Sequence, residues 1–238
     1  MKEKYERESY DTTVTGGFSK KAENFWYHYK WHTIVAIFVV IVVTVCTVQL
    51  FSRTEYDVYI LYAGGESFGK SSENNEYELI NDALRIVTED FDKNGEKSPS
   101  FQSYLFPTDQ EYKDKYSDLG MESLITSDKE SFVNAMTGSK EYYLCFLSPE
   151  IFAMYDIVLD KGGTPLISLT DYASENQLTE SGRGIKLSET DFYKLPGMNT
   201  LPDDTIICIR TLSPTLGHKE NYEKSLALLK NIMAYSLD

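Results

Sequence analysis

The chain has 238 residues, 42% of them hydrophobic, which supplies a core for one domain with appendages and excludes a disordered protein. Its formal charge of −14 is unevenly distributed. Residues 1–32 hold 6 of the 23 basic and 5 of the 37 acidic residues, and residues 52–238 hold the remaining 17 and 32, a net −15. This acidic segment would repel nucleic acid and anionic lipid, so we expect no nucleic-acid partner.

Residues 33–51, TIVAIFVVIVVTVCTVQLF, run from Thr33 to Phe51 without a charged side chain. As a helix they span roughly 28 Å, close to the hydrocarbon thickness of a bilayer. A soluble helix is rarely apolar on every face for this length, so we predict one transmembrane helix. The preceding aromatic residues suit the headgroup level, namely Phe25, Trp26, Tyr27, Tyr29 and Trp31.

Basic residues near the span predict its orientation. Lys20, Lys21 and Lys30 precede it, which favours a cytoplasmic N-terminus. We therefore expect residues 1–32 to form a cytoplasmic tail with juxtamembrane aromatics and residues 52–238 to form an extracytoplasmic domain.

Two other uses of the apolar segment are disfavoured. A cleaved signal peptide would have an unusually long charged lead and too extended an apolar core. Lipid attachment at Cys46 is disfavoured because Val45 stands where the attachment sites of bacterial lipoproteins have a small residue.

Residues 52–238 alternate strand-like and helix-like segments. The apolar patterns predict strands at residues 56–63, 101–106, 142–147, 165–169 and 205–210, and helices at residues 75–91, 127–137, 149–162 and 219–235. The helix at 127–137 is predicted to start at a capping box, Ser127 with Glu130. Residues 172–203 are predicted to be mostly loop. This alternation predicts an α/β fold with a mainly parallel sheet and helices on both faces.

The stretch YAGGESFGKSS contains the spacing of a phosphate-binding P-loop, in Gly64, Gly69, Lys70 and Ser71. Three observations disfavour nucleotide binding. The sequence after Ser71 is polar where a P-loop helix buries its first turn, the strand at 142–147 is not followed by an aspartate for magnesium, and the expected location is outside the cytoplasm. A Gly-rich turn is the preferred interpretation, and a P-loop protein is kept as an alternative.

The segment DFDKNGEKSPSF matches the first half of a calcium loop. Asp90, Asp92, Asn94 and Gly95 fit its early positions, but Phe101 stands at the twelfth, where a bidentate glutamate is needed. A solvated turn is therefore favoured, and no metal is predicted.

Cysteines and histidines give little indication of catalysis. Cys145 and Cys208 lie in apolar runs and are predicted to be buried thiols, with their pairing left open. Residues 52–238 hold one histidine, His218, and no Cys/His cluster that would bind zinc. We expect neither an enzyme nor a cofactor.

Residues 132–172, FVNAMTGSKEYYLCFLSPEIFAMYDIVLDKGGTPLISLTDY, resemble the core of bacterial solute-binding proteins of the second periplasmic type. Shared features are a helix, a Gly turn, a buried strand, a Ser-Pro helix start, a Gly-Gly end and a leucine-rich stretch before Asp-Tyr. Residues 205–235 resemble the segment that closes such a lobe. The first strand and helix with the DFDKNG turn are similar to single-pass envelope proteins of Gram-positive gut bacteria. The resemblance implies one lobe-like domain, because residues 52–238 are too few for two lobes, and it implies a fold more than transport.

In an open parallel sheet, ligands bind beyond the carboxyl ends of the strands. Gly64 and Gly65 follow the first strand and expose backbone N–H groups, and Ser148 opens a helix whose N–H groups favour an anionic or carbonyl oxygen. The alternative is that the glycines only form a turn and Ser148 only caps its helix. The expected function is a non-catalytic binding module for a small ligand or protein partner. A structural or accessory subunit of a cell-envelope assembly is the alternative.

Overall fold

The computed structural model describes residues 18–51, 56–69, 75–159, 164–213 and 218–237. The chain divides into two compact units, with the boundary between Glu55 and Tyr56. The first contains one long apolar helix, and the second contains a β-sheet covered by helices.

Helix α1, Phe18–Phe51, contains a segment, Phe25–Gln49, that is long and apolar enough to cross a membrane. The hydroxyl groups of Thr44 and Thr47 are satisfied within the helix, since they donate to carbonyl oxygens four residues earlier. Membrane anchors and N-terminal signal sequences share this length and composition.

The second unit contains a five-stranded sheet with the order β2-β1-β3-β5-β4. The strands are β1 Val58–Gly64, β2 Pro99–Leu105, β3 Leu144–Leu147, β4 Gly184–Lys186 and β5 Ile206–Ile209. β1 pairs in parallel with β2 and β3, whereas β5 is antiparallel to both β3 and β4. The predicted α/β class is confirmed, but the sheet is mixed rather than mainly parallel. β4 and β5 are joined by short 3₁₀ turns instead of a crossover helix, so the chain reverses between them.

Helices cover both faces of the sheet. They are α2 Glu76–Val87, α3 Asp109–Glu111, α4 Glu122–Gly138, α5 Pro149–Tyr155 and α6 Lys219–Ala234. A π-helical turn, Tyr112–Tyr116, continues α3, and 3₁₀ segments lie at Glu175–Gln177, Leu187–Glu189, Asp191–Lys194 and Met198–Thr200.

The alternation of side chains along β1 builds two apolar layers. Ile60 and Tyr62 face the layer that contains α2 and α6, and Leu61 and Ala63 face the layer that contains α4 and α5. All four residues are buried. The strand is therefore apolar on both sides, which explains its continuous hydrophobic run.

Several element boundaries differ from those predicted. α4 begins at Glu122 rather than at the predicted capping box, so Ser127 lies inside the helix. The predicted strand at 165–169 is reduced to a single bridge, Leu166 with Arg210. α5 ends at Tyr155, and its predicted end near Gly162 lies outside the described residues. β4 falls within a segment predicted as loop, because three residues are too short to show a strand pattern.

Candidate functional site

The structure brings the three predicted ligand-binding residues together where β1 and β3 end, here called the carboxyl edge. Gly64 is the last residue of β1, and Gly65 follows it. The N–H of Ser148, after β3, donates to the carbonyl oxygen of Ala63 over 2.9 Å. The predicted placement of these residues at one edge is therefore observed, and their use in ligand binding stays a prediction.

Gly65 lies against a carboxylate of the protein itself. A Cβ at Gly65 would overlap the carboxylate of Glu111, which also accepts a hydrogen bond from the N–H of Thr108 over 2.7 Å. The carbonyl oxygen of Gly65 accepts from the hydroxyl of Tyr116 over 2.6 Å. Close packing thus accounts for this glycine without a ligand.

Ser148 occupies the N-cap position of α5, but its side chain makes no capping hydrogen bond. The helix has seven residues, and the serine carbonyl oxygen accepts from the N–H of Phe152 over 2.9 Å. Its hydroxyl therefore does not serve as the cap that the sequence suggested.

Acidic groups dominate the electrostatics of the carboxyl edge. The pKa of Asp204 is raised above its usual value by burial and then by the charges of Glu150 and Asp203. Burial and the nearby Glu66 carboxylate likewise raise the pKa of the Tyr62 hydroxyl. Lys115 forms an ion pair with Glu66. This field opposes an anionic ligand at the carboxyl edge.

The P-loop pattern lies only partly within the described residues, because Lys70 and Ser71 are not among them. Between Gly64 and Gly69 the turn is held to the core by Phe68, which is buried against the ring of Tyr62 with ring centroids 5.0 Å apart. The N–H of Phe68 donates to the hydroxyl of Ser103 over 3.2 Å. This backbone donor is paired within the protein.

A carboxylate from outside the turn after α2 lies beside the two aspartates of that turn. Asp57, just before β1, offers an oxygen atom that lies with those of Asp90 and Asp92 within 4.8 Å of one another. Asp57 is buried, and its oxygens accept from the N–H groups of Phe91, over 2.7 Å, and Ser98, over 2.8 Å. It therefore holds the loop to the start of β1.

A cavity of about 470 Å³ opens at the opposite end of the sheet, here called the amino edge, where β1 and β3 begin and β5 ends. Apolar side chains line most of it, including Met136, Tyr143, Met154, Ile157, Pro165 and Leu212. Its size is within the usual range for small-molecule sites.

Arg210 directly follows β5 and lines this cavity. It is 8% exposed. Its Nη1 donates to the carbonyl oxygens of Ala135 over 2.8 Å and Met136 over 2.6 Å, and its Nη2 donates to that of Ser139. The guanidinium carbon lies 4.8 Å from the centroid of the Tyr143 ring. Arg210 therefore caps the negative end of α4 and stacks on an aromatic face.

The positive charge of Arg210 has no anionic partner within the part of the chain that the structure describes. None of the ion pairs there includes Arg210. Its buried Nε has no hydrogen-bond acceptor among the described residues either. A buried cation without a carboxylate partner, at the wall of an apolar cavity, favours an apolar ligand that bears an oxygen anion.

The sequence analysis missed this cavity because it placed the site by the rule for parallel sheets. Arg210 ends the run TIICIR, and a charged residue at the end of a buried strand was the available signal. Its partners on α4 lie far away in the sequence, so only the fold brings them together.

No family model, curated protein or solved structure matches the chain.

Proposed function

We propose that this chain is a single-pass membrane protein that displays its α/β unit outside the cytoplasm as a non-catalytic binding module. Its ligand is a small apolar molecule with a carboxylate, held in the cavity beside Arg210. The observation that carries the proposal is a buried arginine at the wall of an apolar cavity, with no carboxylate partner among the described residues. A solute-binding-protein-like lobe, which the sequence resembles, is consistent with such a role.

The location rests on α1 and its flanking charges. The helix is apolar enough to span a membrane, and Lys20, Lys21 and Lys30 precede its uncharged residues 33–51. A reporter fused after Asp238 is expected to be active only outside the cytoplasm, and protease should reach the domain in intact cells whose wall has been removed. A reporter that is active in the cytoplasm would contradict the location and revive the nucleotide-binding alternative.

Ligand chemistry is tested with two probes that share one apolar body, phenylbutyrate and phenylbutanol. Calorimetry on the full chain in lipid nanodiscs, with empty nanodiscs as the blank, should show that the carboxylate binds at least about tenfold more tightly than the alcohol, a difference of roughly 1.4 kcal/mol. Equal affinity for the two probes, or binding of neither, would contradict the proposed role of Arg210.

Matched variants locate the binding site. Ile157 lines the cavity and is 44% exposed, whereas Leu124 is 47% exposed on α4 and does not line it. Ile157→Asp should abolish phenylbutyrate binding, because it places a carboxylate at the cavity wall, and Leu124→Asp should leave binding unchanged. Loss of binding in both variants would show that the effect is not specific to the cavity.

A second candidate function is an accessory subunit of an envelope assembly. Its support is an exposed apolar stretch beside the cavity, formed by Met154, Ile157, Val158 and Leu159. This candidate is favoured if neither probe binds and Ile157→Asp, but not Leu124→Asp, releases the chain from a larger complex in its native membrane.

A further inference from the structure

The exposed apolar stretch at the amino edge, formed by Met154, Ile157, Val158 and Leu159, includes three consecutive residues. The other exposed apolar side chains in the described part of the second unit occur singly in the sequence, as Leu119 does. Single exposed apolar residues need no explanation, whereas a contiguous group marks a surface that contacts a protein or a membrane.

The charge within this stretch is neutralised by the protein itself. Asp156 is the only charged residue between Met154 and Leu159. Its carboxylate accepts a hydrogen bond from the Nε of Arg183 over 2.6 Å, and the two side chains are only 16% and 19% exposed. The stretch therefore presents apolar side chains without an unpaired charge among them.

Three tyrosines lie at the same edge of the sheet. Tyr56 precedes β1, Tyr59 belongs to it, and Tyr142 precedes β3. The ring centroids of Tyr56 and Tyr59 are 5.8 Å apart, and those of Tyr59 and Tyr142 are 6.0 Å apart. All three side chains are partly buried. Tyrosine has an apolar ring and a polar hydroxyl group, so it is common at the interface between membrane and water.

We propose that the amino edge docks on the surface of a lipid bilayer through the exposed apolar stretch. The inference rests on the membrane span given under Proposed function and not on the ligand. Tyr56 lies only five residues after Phe51, the last of the uncharged residues 33–51. Five residues of fully extended chain reach at most about 18 Å. The start of β1 is therefore held near the bilayer, which favours lipid over a second protein as the occupant.

The lipid is zwitterionic, because the acidic domain repels an anionic surface. The contact therefore depends on burial of apolar side chains in the lipid rather than on attraction between charges.

Fluorescence quenching on the full chain in phosphatidylcholine nanodiscs tests the contact. A thiol-reactive fluorophore is attached through Val158→Cys in one variant and through Leu119→Cys in a matched control. Val158 is 65% exposed and does not line the cavity. Leu119 is 63% exposed and follows the π-helical turn that contacts the carboxyl edge. Both variants carry Cys46→Ala, and the buried thiols of Cys145 and Cys208 should not react.

Lipids that carry a nitroxide in the upper acyl chain should quench most of the fluorescence of the Val158→Cys probe and little of that of the Leu119→Cys probe. Iodide in the water should do the reverse. Equal quenching at the two positions would overturn the docking, since a freely moving domain exposes both alike. Access of iodide to the Val158→Cys probe in nanodiscs but not in the native membrane would also overturn it, and would favour the accessory-subunit function.

A charged substitution tests whether the stretch itself makes the contact. With the fluorophore at Met154→Cys, adding Val158→Asp should remove most of the quenching by lipid, because a carboxylate resists transfer out of water. Adding Leu119→Asp should leave the quenching unchanged. Quenching that survives Val158→Asp would overturn the role of the stretch.

Failure of this inference is distinct from failure of the proposed function. A chain that does not enter nanodiscs would contradict the membrane span and this inference together. A chain that enters them and binds phenylbutyrate, but shows equal quenching at both positions, would overturn the docking alone.

Discussion

The two edges of the sheet differ in charge and in how their polar groups are paired. At the carboxyl edge Glu111, Glu150 and Asp204 lie close enough to influence the titration of their neighbours, and the Gly65 turn is filled by the protein's own carboxylate. At the amino edge a buried cation, Arg210, caps α4 with two of its nitrogens, leaves a third unpaired, and borders an open cavity. The carboxyl edge is packed and acidic, whereas the cavity at the amino edge is lined mainly by apolar side chains and by the cation Arg210.

The reversal of β5 explains the difference. If β5 were parallel to β3, the residue that follows it, Arg210, would lie at the carboxyl edge. Because β5 is antiparallel to β3, Arg210 arrives at the amino edge beside Tyr143, the residue just before β3. In a mixed sheet the rule that places ligands at the carboxyl ends of strands therefore has to be applied strand by strand.

The largest effect on stability is expected from Arg210→Met, which removes the guanidinium from the amino edge. The carbonyl oxygens of Ala135, Met136 and Ser139 lose their donors, so the free energy of unfolding should fall by about 3 kcal/mol or more. Urea denaturation measures the change. Arg85→Met is the control: its ion pair is exposed, and the expected cost is below about 1 kcal/mol. Equal stability of parent and Arg210→Met would show that these carbonyl groups do not depend on the guanidinium.

Gly65→Ala tests the packing of the carboxyl edge. The new Cβ would overlap the Glu111 carboxylate, so we expect that side chain to move and give up its hydrogen bond to the N–H of Thr108, a loss of about 1 kcal/mol. The loss should shrink when Glu111 is also changed to alanine, as a double-mutant cycle would measure. Gly138→Ala is a control, since no atom lies within 4 Å of a Cβ there. A cost that is the same in both backgrounds would point to the backbone rather than to Glu111.

Asp204→Asn tests the acidic field. The pKa of Asp204 is raised on folding, chiefly because its carboxylate is partly shielded from solvent, so its contribution to stability is fully present below the unfolded value of 3.8 and is lost as the pH rises through the folded pKa. At pH 7 the neutral asparagine should therefore stabilise the domain, by at most about 0.5 kcal/mol because the site is largely exposed. The gain should vanish in denaturation below pH 3.8. A gain that persists in acid would exclude the charge as its cause.

Ser148→Ala should have the smallest effect. Replacing a serine that caps a helix by alanine lowers the free energy of unfolding by about 1 kcal/mol. Here the side chain makes no capping hydrogen bond, so we expect a decrease of only about 0.3 kcal/mol. Thermal unfolding measures it, with Thr108→Ala, which removes a complete capping box on α3, as the comparison. A loss near 1 kcal/mol at Ser148 would show that its hydroxyl does cap the helix.

Hydrophobic patterns in the sequence were sufficient to predict most of the helices and strands. The apolar runs that became β1, β3 and β5 predicted strands, and α2 and α6 followed from helical spacing. Strand direction could not be predicted in this way, because an apolar run is the same for a parallel and an antiparallel strand. The mixed sheet depends on the connection before β5, which contains 3₁₀ turns and no long helix.

The candidate site was harder to predict because its groups are distant in the sequence. The role of Arg210 depends on carbonyl oxygens at the end of α4, and that of Gly65 depends on Glu111. Asp57 likewise lies beside Asp90 and Asp92, although β1 and α2 separate it from them in the sequence. The predicted glycines and serine are adjacent as expected, but their chemical surroundings come from residues that local patterns do not indicate.

The sheet order also governs how the nascent chain folds. β5, the last strand to be synthesised, lies between β3 and β4, so neither strand has that neighbour until residues 206–209 have emerged. Until then the apolar edge of β3 is open to pairing with other chains, a state that promotes aggregation. The domain cannot assemble segment by segment from its N-terminus, because completion of its core waits for β5 and α6.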